Sequence, residues 1–288
     1  MREQTIRLYG VRALLGALAC CVSTLTVAAP IATNTALPLG DKGVVLREQI
    51  MFMRASDTLL GSSREVERFE LRTTVGYGLS RNLAVFAALP YADISSDISG
   101  NKSSAAGFGD AMMFARYEMY NVNRPAGTLR VAPYLGLRMP TGKEGETGDG
   151  SVDAFGGLVV TVASIDWELD SQIRYDLNRA ADGFDRGNVV TLDSSLQYRL
   201  APAAISAATE GFLFGVLELS ASLAGKNETV GIEDPNSGGF QLFLTPGLAY
   251  ATRRWMADFG VRVPVVNDLN GSALEPDLVV VTSVRFNF

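Results

Sequence analysis

No histidine occurs in the 288 residues. Without imidazole, a Ser-His or Cys-His nucleophile cannot be assembled, and a common metal ligand is missing. Cysteine is almost as scarce: the only two, Cys20 and Cys21, are adjacent and fall among the first thirty residues. Past residue 30, no apolar run approaches the roughly 18 residues that a membrane-crossing helix requires. Positive charge is also in deficit, with 25 Lys and Arg against 31 Asp and Glu. Polyanions are held by basic surfaces, so no nucleic-acid partner is expected. At 47% hydrophobic and 19% charged residues, the chain also lacks the polar excess of a disordered protein.

The N-terminus reads as a secretory signal. Arg2, Arg7 and Arg12 precede an apolar core, Ala13 to Val22, and Thr26-Val27-Ala28 ends it in the manner of a cleavage site. Cleavage after Ala28 is expected, because Pro30 disfavours cleavage after Ala29. Ala17-Leu18-Ala19-Cys20 faintly resembles a lipidation box but lacks the usual leading Leu. Removing residues 1–28 takes away three Arg and one Glu, which moves the net charge from −6 to −8. The mature chain would hold no disulfide and no reactive thiol.

What the sequence does have is alternation. In 165–177, Ile165, Trp167, Leu169, Ile173, Tyr175 and Leu177 share parity, while Asp166, Glu168, Asp170, Arg174 and Asp176 occupy the positions between. Successive side chains of a strand point to opposite faces, so one face is apolar and the other charged. Twelve such runs occur, at about 44–54, 66–79, 83–91, 108–120, 128–140, 152–163, 165–177, 188–200, 212–224, 238–252, 255–264 and 277–288. The first and sixth alternate least clearly. Most have the length that a tilted strand needs to cross a bilayer. Short links (80–82, 164, 253–254), with a moderate one at 121–127 and a longer one at 201–211, mostly alternate with longer polar ones (55–65, 92–107, 141–151, 178–187, 225–237, 265–276). This is the pattern of an outer-membrane barrel with periplasmic turns and longer outer loops.

Aromatic placement agrees. Tyr77, Tyr117, Trp167, Tyr198, Tyr250, Trp255, Phe286 and Phe288 fall near the periplasmic edge of the apolar face, and Phe69, Tyr91, Tyr175 and Phe240 near the outer edge. Two belts at the water–lipid interfaces suit amphipathic rings. A water-soluble sandwich explains neither the belts nor such long strands. The expectation is an all-β, twelve-stranded antiparallel transmembrane barrel over 44–288, with 29–43 as a periplasmic segment able to plug it.

By parity the lumen receives Arg68, Glu70, Arg72, Asp110, Arg116, Glu118, Arg130, Arg138, Asp166, Glu168, Asp170, Arg174, Asp176, Asp193, Arg199, Glu218, Asp258, Arg262 and Arg285. Buried charge must be paired or hydrated. Twelve strands lie between a barrel filled by side chains and an open porin, so a narrow hydrated path is expected. Paired acids for catalysis are numerous enough, but they sit among arginines and read as charge-paired lining. Gly148 to Asp153, with Glu144 and Glu146, matches no complete calcium loop, and Gly142-Lys143 lacks the spacing of a phosphate loop. No catalytic residue, metal or cofactor is expected.

Gly107-Phe108-Gly109-Asp110 opens one strand, and Pro140-Thr141-Gly142-Lys143 closes the next. This pairing resembles the outer-membrane transporter family named after the meta-pathway of phenol degradation. The resemblance implies a porin-like barrel that passes aromatic or other hydrophobic compounds, and it carries over no catalytic residue. On the residues themselves, shape-setting at the strand–loop junction outranks a substrate role for Asp110, Arg138 or Lys143. The functional expectation is a passive channel for small solutes, the alternative a non-conducting structural or surface-interaction barrel. Its other partners would be outer-membrane lipid and the assembly machinery, which would read the terminal Val284, Phe286 and Phe288.

Overall fold

The computed structural model describes residues 31–59, 61–204, 206 and 209–288. The leader expected over 1–28, with both cysteines, lies outside the described residues. Twelve strands follow: β1 (Val44–Leu59), β2 (Ser62–Gly78), β3 (Leu83–Ile98), β4 (Asn101–Phe108, Ala111–Tyr117 and Tyr120–Arg124), β5 (Gly127–Met139), β6 (Asp153–Ala163), β7 (Trp167–Leu177), β8 (Val189–Ala201), β9 (Gly211–Ala224), β10 (Gly239–Thr252), β11 (Trp255–Leu269) and β12 (Pro276–Asn287). Each pairs antiparallel with its sequence neighbours. β12 returns to β1, with Arg47 opposite Arg285 and Met51 opposite Val281, so the sheet closes into a barrel. Closure leaves no open edge around the ring, which a bilayer would not tolerate.

The two faces invert the usual order of a soluble protein. On β7, Ile173 and Tyr175 are 51% and 47% exposed, while Arg174 and Asp176, which alternate with them, are 1% and 2% exposed. The same inversion runs round the ring: Leu135, Leu192, Leu217, Leu248 and Phe259 face outward, and Arg72, Asp193, Glu218 and Arg262 are buried. Only a hydrocarbon surround makes this arrangement favourable.

Three expectations need correction. The links 55–65 and 92–107 are mostly strand, not loop. β1 runs on to Leu59 and β2 begins at Ser62, and β3 and β4 meet at Ser99-Gly100. Both of those residues have positive φ (52° and 86°), the backbone of the tight hairpin turn that matches strand twist. Polar residues on both faces had hidden these extensions. Likewise β4 and β5 meet across residues 125–126, where a moderate link of 121–127 was expected. Finally, β7 starts at Trp167, so Ile165 and Asp166 belong to the turn before it.

The interior is also not uniformly charged. Met51, Met53, Val66, Ile94, Val279 and Val281 form a buried apolar wall on β1–β3 and β12. A second cluster gathers Phe86, Phe114, Tyr134 and Phe155, with Phe86 and Phe114 stacked 4.6 Å apart. Above the long-loop end, Phe184–Asp185, Glu228–Thr229 and Ile232–Glu233 pair into a small separate sheet.

Candidate functional site

The lumen is organised in three layers. At the long-loop end, acids and arginines form a chain. Glu70 accepts hydrogen bonds from Arg68 (2.6 Å) and Arg72 (2.5 Å). Arg138 reaches both Asp153 (3.1 Å) and Asp176 (3.3 Å). Arg174 donates to Asp176 (2.8 Å) and lies 4.2 Å above the Phe155 ring. Arg186 pairs with Asp149 (2.7 Å) and Asp153 (3.3 Å). Burial pushes the Asp149 carboxyl up to about 6, against the pull of Arg138. A small cavity of about 90 Å³ remains among Arg68, Glu70, Asp110, Arg138 and Arg186.

The two sequence motifs meet here. The Asp110 carboxylate accepts the backbone N–H of Gly142 (3.0 Å) and of Asp149 (2.9 Å). Thr141 donates its hydroxyl to Gly109 O (2.9 Å), and Thr147 to Phe108 O (2.7 Å). A Cβ on Gly142 would stand 2.8 Å from Gly148 Cα, and one on Gly148 would stand 2.5 Å from Asp110 Oδ1. The motifs are therefore two halves of one latch that holds the 140–152 loop over the barrel mouth. In the same loop, Lys143 pairs with Glu146 (2.5 Å).

The middle layer is occupied by the chain's own N-terminal segment. Residues 31–36 are all buried. Glu218 on β9 accepts the N–H of Ile31 (2.8 Å) and of Ala32 (2.9 Å). Arg47 and Gln49 on β1 both donate to Ile31 O at 2.9 Å. Asn34 donates to Gln172 Oε1 on β7 (2.9 Å), and Ala36 to Thr161 Oγ1 on β6 (2.7 Å). Arg116 on β4 donates to Thr35 O (2.5 Å) and Leu37 O (2.7 Å). The segment thus runs from the β1/β9 side to the β4/β6 side and spans the lumen. Around it Asp193 accepts from Gln172 (2.6 Å) and from Ser220. Arg262 donates to Ser220 (3.1 Å) and lies 4.3 Å over Phe243. Asp170 accepts the Thr161 hydroxyl, and Asp258 takes Ser283 (2.5 Å) with Arg47 at 3.7 Å.

At the short-turn end lies a cavity of about 440 Å³, whose wall includes Arg47, Arg116, Glu168 and Arg285. Glu118 pairs with Arg130 nearby. Asp166 pairs with Arg199 from the turn, with its side chain half-exposed at the rim instead of inside. Tyr77, Tyr117, Trp167, Tyr198, Tyr250, Trp255, Phe286 and Phe288 are all exposed, and the Tyr250 and Trp255 rings sit 5.5 Å apart. Phe288 exchanges backbone hydrogen bonds with Val44 (2.9 and 3.2 Å).

Gln172 shares the inward face read for its strand, whereas Arg47, Gln49, Thr161 and Arg186 are not among the inward residues that the sequence singles out. The parity of Arg47 and Gln49 was readable, but Met51 and Met53 on the same face blurred the alternation of their strand. Arg186 lies in a loop, where parity carries no information.

A family model described as "Putative MetA-pathway of phenol degradation" matches residues 57–266. No curated protein matches the chain. Among solved structures, the COG4313 outer membrane channel from Pseudomonas putida F1 is 13% identical with a TM-score of 0.70, covering 91% of this chain and 100% of that one. The transport unit of the autotransporter AIDA-I from Escherichia coli is 9% identical with a TM-score of 0.53, covering 98% and 99%. At these identities the likeness establishes the outer-membrane barrel fold alone. The family match spans most of the chain, and the protein belongs to the phenol-degradation MetA-pathway family.

Proposed function

We propose that the chain is an outer-membrane channel through which small solutes pass passively, aromatic or hydrophobic compounds among them, with residues 29–43 as its plug. The observation that carries this reading is the buried N-terminal segment 31–36. It separates a cavity of about 440 Å³ at the short-turn end from one of about 90 Å³ at the long-loop end. Side chains alone would fill a smaller barrel, whereas here a length of chain occupies the space. The apolar wall of Met51, Met53, Val279 and Val281 supports hydrophobic solutes. The Pseudomonas putida structure, an outer membrane channel, and the family's description support the same reading. In this reading residues 1–28 are a cleaved signal, the short turns face the periplasm, and Phe288 is read by the assembly machinery.

The second reading is a non-conducting scaffold, favoured by the buried chain Arg186–Asp153–Arg138–Asp176–Arg174 at the long-loop end. Planar-bilayer recording of the refolded mature chain separates the two. Discrete openings that phenol alters, and a larger conductance after deletion of residues 31–36, are expected. Silence from both verified barrels would exclude an ion-conducting pore, and absence of phenol flux into liposomes as well would establish the scaffold reading. Equal conductance with and without the segment would remove its role as plug.

A further inference from the structure

The short-turn cavity has a chemistry that passage alone does not use. Its wall carries four guanidiniums, Arg47, Arg116, Arg253 and Arg285, against one acidic side chain, Glu168. Much of the remaining wall is apolar, with Leu37, Leu39, Phe86, Phe214 and Met256.

Elsewhere in the interior, arginines are met by acids: Arg72 by Glu70, Arg138 by Asp153, Arg174 by Asp176. Three arginines of the cavity form no such pair with described residues: Arg253, which is exposed at the turn, and the inward-facing Arg116 and Arg285. Arg116 forms no ion pair with a described residue. Its donors go to the neutral carbonyls of Thr35 and Leu37, and it sits 4.9 Å over the Phe86 ring. Carbonyls fix the direction of the guanidinium, and the acids that answer its charge, Asp170 and Glu118, do so only from beyond ion-pair distance. The Arg285 side chain, on β12, forms no hydrogen bond or ion pair with a described residue, and its Nε is buried without a partner; Glu168, Asp258 and Asp170 act on its charge only from beyond ion-pair distance. A partly buried guanidinium is held at a cost unless an anion or water answers it, and its planar fork matches a carboxylate.

We propose that this cavity binds a small organic anion with an apolar body, of the aromatic carboxylate class. Arg285 takes the carboxylate through its open donors, and the fixed charge of Arg116 adds attraction. The ring rests against the apolar side near Phe86 and Phe214. A volume of about 440 Å³ lies in the usual range for small-molecule sites, about 300–1,000 Å³. For its part in transport the site rests on the channel reading, and it narrows that reading to one solute class.

Isothermal titration of the mature barrel in lipid nanodiscs, against empty discs, tests this with sodium benzoate and the neutral isostere benzyl alcohol. Benzoate is expected to bind saturably at one site, about tenfold or more tighter than benzyl alcohol. Arg285→Gln, with folding verified by heat-modifiable gel mobility, is expected to lose about that factor, and Arg285→Lys to keep part of it. Benzoate binding no tighter than benzyl alcohol in the unmodified barrel overturns the proposal, whatever the variants do. So does unchanged benzoate affinity in folded Arg285→Gln. Solute flux into liposomes keeps the two readings apart. Benzoate binding without flux of any solute defeats the channel and leaves the site, whereas phenol flux without benzoate binding does the reverse.

Discussion

Individual side chains in this barrel differ in worth according to whether water can replace their partner. Glu70 is buried and shared by two arginines. Glu65 pairs with Arg54 at 2.6 Å, but both side chains are about half in solvent. Removing one member of a buried pair leaves an uncompensated charge at a cost of about 3–5 kcal/mol, whereas an exposed pair contributes about 0–1 kcal/mol. Glu70→Gln should therefore lower the urea midpoint of the vesicle-refolded barrel markedly, and Glu65→Gln should leave it nearly unchanged. Equal effects would show that water reaches Glu70. Parity alone had named Glu70, Arg68 and Arg72 as inward residues. It could not name their pairing, because two residues on one strand face meet only if their rotamers converge.

At the level of elements, the latch between β4 and the 140–152 loop carries the clearest consequence. Asp110 is the sole described side chain that accepts the N–H groups of both Gly142 and Asp149. Asp110→Ala frees both donors and should open Lys143 to trypsin, read as faster nicking by mass spectrometry. The barrel's urea midpoint should change little, since the ladder of β4 with β3 and β5 is untouched. Protection as strong as in the parent chain would mean that Thr141 and Thr147 hold the loop without the carboxylate. The sequence showed two glycine-containing motifs one hairpin apart and assigned them to shape. That they clasp each other depends on β4 and β5 being neighbours in register, with Met112 opposite Arg138, and no local pattern contains that information. The strand extensions beyond 54, 91 and 264 were invisible for a related reason. Outside the bilayer neither face needs to be apolar, so alternation fades while the hydrogen-bonded ladder continues.

For the whole molecule, the inverted burial makes a prediction that distinguishes a membrane barrel from a soluble one. Leu192 is 57% exposed at the middle of β8, opposite Ile173 on β7 and Ala221 on β9. In a soluble protein, Leu→Arg at so open a position would be close to neutral. Facing hydrocarbon, it should cost about 2–4 kcal/mol. The measurement is the folding free energy of Leu192→Arg in lipid vesicles, and a neutral result would place β8 against water. The same inversion explains why the family could be read early. Gly107 to Asp110 and Pro140 to Lys143 lie in a barrel whose class the alternation had already indicated, and the matched family is the one that the resemblance named.

The sequence by itself determined the strand count, the antiparallel closure, which face of most strands turns inward, and the family. All of these follow from a period of two imposed by lipid on one side. It did not determine what fills the interior. The apolar wall of Met51, Met53, Val279 and Val281 has apolar residues on the opposite strand face as well, so parity there is silent. The seating of residues 31–36 depends on Glu218, Arg47, Gln172, Thr161 and Arg116, which come from five strands far apart in the chain. Such a binding cradle exists only once the barrel has closed, because curvature, not sequence proximity, points those side chains at one line of backbone.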